Sequence, residues 1–150
     1  MEPIAKGDEG PSMSKLFDQM ANHLEFLGYS VEINQPAEGE KPSFIARHSQ
    51  YPNLFIWEME PGITLMRSSF NIEKAYFPEE MDAAINELSK SVNIMNPNYV
   101  VNNDGKVVLQ FDTVYTGDYS REIFGKFIAY VQNDIARMYR VPAVVKAFTE

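Results

Sequence analysis

The side chains able to carry acid–base, nucleophilic or metal chemistry are few in this sequence. Its 150 residues include two histidines, His23 and His48, and no cysteine. Without cysteine there are no disulfides, zinc–thiolate sites, iron–sulfur clusters or thiol nucleophiles. A histidine acting as base or metal ligand usually works beside a carboxylate. His23 lies near Glu25, but residues two apart do not share a helix face. His48 falls in a strand-like run between Ser43 and Ser49, where a polar residue at a strand end is the simpler reading. Glu58 and Glu60 alternate onto one strand face, and such a pair could act as acid and base or hold a hard cation. They directly precede Pro61-Gly62, where exposed charge is ordinary. Asn102, Asn103 and Asp104 resemble a calcium loop in composition only. The glycine comes at once and no glutamate follows at loop position twelve, so a hairpin turn is the better reading. No phosphate-binding, dinucleotide-binding, zinc-protease or hydrolase motif occurs. We therefore expect a non-enzymatic chain with no catalytic residue, cofactor or metal. The alternative is a small-molecule-binding or enzymatic domain with a cleft between sheet and helices, in which His48 and Glu58 are the first candidates.

Composition narrows the partners. An apolar content of 45% with 23% charged residues suits one domain with one core. Thirteen basic residues face 21 acidic ones, for a net charge of −8. Binding to nucleic acid or to an anionic membrane draws on a basic footprint, so neither is an expected partner. No apolar run approaches the roughly 20 residues that span a bilayer. The opening MEPIAKGDEGPS has no apolar stretch behind a basic region, so it does not read as a secretory signal. Residues 1–12 read as a disordered N-terminal tail before a single domain over 13–150, and a cytoplasmic protein is expected.

Periodicity supplies the elements that would position any site. Leu16, Phe17, Met20, Leu24 and Leu27 form one helical stripe within residues 13–28, capped by Ser12 or Ser14 and closed by Gly28. Strands are expected at 29–33, 43–50, 54–60 and 63–70, the last two joined through Pro61-Gly62, where glycine supplies the positive φ of a type II turn. A second helix begins near Pro78 and carries Met81, Ile85, Leu88, Val92 and Met95, with Asn96-Pro97-Asn98 ending it. Asp104-Gly105 joins a strand at 99–101 to one at 106–115. A last helix runs from about Tyr119 to Arg140, capped by Asp118 and ended by Pro142. Residues 143–148 are apolar and either dock on the body or meet another subunit. The order is α-β-β-β(-β)-α-β-β-α, an α+β fold with a mainly antiparallel sheet and helices on one face.

A sheet covered on one side should be polar on the other. Here Leu54 and Ile56 point one way while Phe55, Trp57 and Met59 point the other, and Ile63 and Leu65 oppose Met66 and Phe70. Either this strand pair is central and the helices cover more than one face, or the large residues pack at sheet edges, or Phe55, Trp57, Met59 and Met66 help form a self-association or partner-docking surface.

Three stretches carry a resemblance: LEFLGYSVEI, LFIWEMEPGITLMRSSF, and PEEMDAAINELSKSVNIMNPNYVVNNDGKVVLQFD with the helix after it. Together they cover most of residues 13–138. In hydrophobic pattern and turns they resemble the YbjN-like family, which is similar in fold to the type III secretion chaperones, the Tir-chaperone group among them. The resemblance implies a small acidic α+β protein, often a homodimer, that works by binding other proteins. It implies no catalytic residues. The loop at 34–42 and the segment beyond Pro142 depart from the secretion-chaperone pattern.

Overall fold

The computed structural model describes residues 15–34, 36–72, 78–142 and 144–145. The expected tail, and most of the apolar segment at 143–148, lie outside these residues. The first helix, α1, covers Lys15–Phe26. Four strands follow: β1 (Ser30–Asn34), β2 (Ser43–Arg47), β3 (Leu54–Glu60) and β4 (Ile63–Ile72). Then come α2 (Pro78–Ser89), β5 (Asn96–Val101), β6 (Val107–Thr116), α3 (Arg121–Ala136) and a 3-10 turn at Arg137–Arg140. No helix among the described residues is long and apolar enough to cross a membrane.

Among the described residues, six strands form one antiparallel sheet in the order β1-β2-β3-β4-β6-β5. Hairpins place chain neighbours side by side, and α2 carries the chain past β6 so that β5 becomes an edge. Gly28 ends α1 as expected, with φ +99°. The Tyr29 N–H returns to the Leu24 carbonyl at 2.9 Å, closing the helix as a left-handed cap does. Gly62, at φ +87°, turns β3 into β4.

One face of the sheet is core. Phe44, Ala46, Leu54, Ile56, Met66, Leu109 and Phe111 are fully buried there. Against them pack Phe17, Met20 and Leu24 of α1, Met81, Ala84 and Leu88 of α2, and Phe124, Ile128, Val131 and Ile135 of α3, in one cluster. The stripes expected from three- and four-residue spacing are the buried sides of the helices.

Several boundaries differ from the sequence reading. Helix α2 stops at Ser89, so Val92 and Met95 follow it in the connection instead of extending its stripe. Pro97 does not stop a helix but sits inside β5, paired with Phe111. Proline is tolerated there because β5 is an edge strand that needs no outward N–H. Ser120, not Asp118, caps α3, its Oγ accepting from the Ile123 N–H at 3.2 Å. The long last helix gives way to the tighter turn after Ala136, which leaves α3 roughly 24 Å long. Val144, from the apolar C-terminal segment, is 2% exposed within this single chain, so at least that residue docks in cis.

Candidate docking surface on the outer sheet face

Alternation decides what faces away from the helices. With Ile56 and Glu58 turned inward, Phe55 and Trp57 turn outward on β3. The register sets two transverse rows on this outer face. One runs Glu32, Ile45, Phe55, Arg67, Asp112, Asn96, and the other Asn34, Ser43, Trp57, Leu65, Val114. The centre of the face is thus Ile45, Phe55, Trp57 and Leu65, with Ile63 and Val114 extending it toward the β3–β4 turn. The Phe55 and Trp57 rings stack with centroids 6.2 Å apart and planes 22° from parallel.

These residues are half-buried, yet none of Ile45, Phe55, Trp57, Ile63 or Leu65 packs against the core cluster. Val114 is 46% exposed and Met59 42%. The pairing register shifts between Glu58 and Glu60, so Met59 is the extra residue of a bulge and leaves the strict alternation.

Four charges on the face, Arg67, Asp112, Arg47 and Glu32, are paired within it. Arg67 donates through Nε and Nη2 to the two carboxylate oxygens of Asp112, and Asn98 donates to the second of these at 3.0 Å. The Arg67 guanidinium also lies over the Trp57 ring, 5.5 Å from its centroid. On β2 and β1, Arg47 pairs with Glu32. An apolar centre ringed by neutralised charges has the layout of an interface core and rim. Strand β1 offers an edge beside it, with Ser30, Glu32, Ile33 and Asn34 exposed. The opposite edge, β5, carries Pro97.

Of the four residues singled out in the sequence, three lie on this side or its rim. Met66 does not. It is 0% exposed, faces Ile56 across β3 and β4, and belongs to the core. The residues missed were Ile45 and Leu65, the cross-strand neighbours of Phe55 and Trp57. Pairing through the Pro61-Gly62 turn could have found Leu65.

The alternative cleft pair is not assembled. The Glu58 N–H bonds the Pro42 carbonyl at the start of β2, while His48 lies past the other end of that strand, roughly 20 Å away along it. His48 instead packs edge-to-face between Tyr29 and Tyr51, with Nδ1 accepting from the Gln50 N–H at 2.9 Å. Glu58 and Glu60 also part company. Glu58 is turned into the core face opposite Thr64, and Glu60 is exposed.

No protein-family model and no curated protein matches the sequence. The fold does have a solved counterpart. The crystal structure of YbjN from E. coli, a candidate transcription regulator, superposes with a TM-score of 0.57 over 87% of this chain and 90% of that one, at 12% identity. The chain therefore has the YbjN-like fold: a six-stranded antiparallel sheet with helices in the order α-β-β-β-β-α-β-β-α.

Proposed function

We propose that this chain is a non-enzymatic protein-binding module of the cytoplasm, a chaperone-like or regulatory adaptor that docks partner segments on the outer face of its sheet. The observation that carries the reading is the Ile45, Phe55, Trp57 and Leu65 cluster, large apolar side chains held on a sheet face without packing on the core. Aromatic anchors in such a patch contribute much of the energy of a typical interface. Met59 at the bulge adds an adaptable side chain at the rim. Because Arg67, Asp112, Arg47 and Glu32 are already paired, the face favours an apolar or amphipathic segment over a charged one. An extended segment could also add to the β1 edge. A regulatory role is in keeping with the description of YbjN, with regulation through protein contacts suiting a chain of net charge −8.

The test is a capture experiment from the native cell extract with wild-type, Trp57→Ala and Phe55→Ala baits, followed by binding measurements with the purified partner. Each substitution should weaken that partner's binding by about 30-fold or more, the scale of a hot-spot residue. Both variants should keep the wild-type circular dichroism spectrum. Full retention of the partner by both folded variants would remove the outer face from the function. If the sole species captured is a second copy of this chain, the face is a self-association surface instead.

A further inference from the structure

Away from the sheet's outer face, the end of α1 and the start of α3 border a half-open cavity of about 210 Å3, lined by Gln19, Asn22, His23, Phe26, Tyr119 and Arg121. That lining holds one cation and no carboxylate, in a chain whose net charge is −8. The Arg121 guanidinium lies over the Phe26 ring, 4.7 Å from its centroid. Among the described residues it makes no ion pair. The ring thus helps hold the cation in place without neutralising it.

The imidazole of His23 is the second element. His23 is 8% exposed, and its Nδ1 lies 2.8 Å from the Tyr119 hydroxyl. When the phenol donates to Nδ1, the ring proton resides on Nε2. Nε2 has no hydrogen-bond partner among the described residues. The place beside it is kept clear by Gly125, whose missing Cβ would lie 3.7 Å from Nε2. A glycine inside a helix is less favourable than alanine, so this opening is not free. Through it His23 also borders a wider hollow of about 620 Å3, shared with Arg121, Glu122, Gly125, Lys126 and Ala129. The positive end of the α3 dipole adds to the same field.

We propose that this cavity binds a small oxyanion, a carboxylate or phosphate group, between the Arg121 guanidinium and the Nε2–H of neutral His23. The amides of Gln19 and Asn22 supply further donors, and Phe26 offers an apolar wall to the body of the ligand. Burial, and then the charge of Arg121, push the His23 pKa below its ordinary value, which keeps the ring neutral. The other groups facing it are the Tyr119 hydroxyl and, at the wider mouth, Glu122 and Lys126, which pair with each other at 3.5 Å. A bound anion stabilises the imidazolium and so raises the pKa.

The chain's two histidines make this directly measurable by NMR, with His48 as the control inside the same molecule. The His23 and His48 ring protons are followed against pH in chloride, acetate and inorganic phosphate at matched ionic strength. The expected result is an upward shift of the His23 midpoint in acetate or phosphate, no such shift at His48, and loss of the response in Arg121→Gln. Arg121 is exposed, so that variant should keep its fold, which the amide spectrum verifies. The anion that acts assigns the group as carboxylate or phosphate. A His23 midpoint identical in all three salts overturns the proposal. So does a shift shared by His48, or a response that survives in Arg121→Gln.

Discussion

At the scale of single residues, Asp134 has the clearest structural task. It is 0% exposed on α3, and its carboxylate accepts from the N–H groups of Asn93, Ile94 and Met95 at 2.9, 2.8 and 3.0 Å. It thereby fixes the connection between α2 and β5, and Arg137 adds a bond to the Ser91 carbonyl at 2.8 Å. Replacing Asp134 with Ala takes the acceptor from three N–H groups, that of Met95 buried and that of Ile94 half-buried, so urea unfolding should show a loss of about 2–3 kcal/mol. In the sequence this residue is one more helical acid, because its partners lie 39 to 41 positions away. Gly28 is the opposite case and was legible as a helix cap. What the sequence did not show is its second constraint, that a Cβ there would stand 2.9 Å from Nε2 of His48. Gly28→Ala should therefore cost more than the roughly 1–2 kcal/mol of a left-handed alanine, read from the same unfolding curves.

At the scale of elements, β3 and β4 each turn one side to the core and the other to the proposed docking face. Met66→Ala should destabilise by about 2–5 kcal/mol, as core truncations do, while the intact fraction binds the partner normally. Trp57→Ala should do the reverse, with a modest change in thermal midpoint and a large loss of binding. Comparing the two variants by calorimetry and binding titration separates a core role from a surface role. Their contrast also explains a misreading in the sequence. Strand β4 reads as alternating residues without a marked face, and both Leu65 and Met66 are apolar. Pairing with β3 assigns them to opposite sides, Met66 beside Ile56 and Leu65 beside Trp57. Pro97 misled for a related reason. Proline is both a helix stop and an edge-strand residue, and the position of β5 at the sheet edge selects the second use.

At the scale of the whole molecule, one cluster joins α1, α2 and α3 to the sheet, so unfolding should be a single cooperative transition, the same by circular dichroism and by Trp57 fluorescence. Its dependence on pH has a defined sign. The folded pKa of His23 lies below the unfolded value of 6.5, so the unfolded chain takes up this proton first as pH falls. The contribution of neutral His23 is present above pH 6.5 and is lost as pH falls through the lower, folded pKa. Chemical denaturation across that window should show declining stability, and His23→Gln should flatten the decline.

The elements, their order and the placement of most turns were written in the sequence, because helical and strand periods and the conformational freedom of glycine are local properties. So was the presence of too much apolar surface for a sheet covered on one side only. Which of the two apolar faces of β3 meets the helices is not local. Alternation is symmetric between faces, and only the gathering of Ile56 and Met66 into one buried cluster with the helices breaks that symmetry. The same packing brings His23 to Tyr119, 96 residues away, and carries His48 and Glu58 to opposite ends of β2. These long-range placements depend on how amphipathic surfaces share one core, which the chain settles only when it folds.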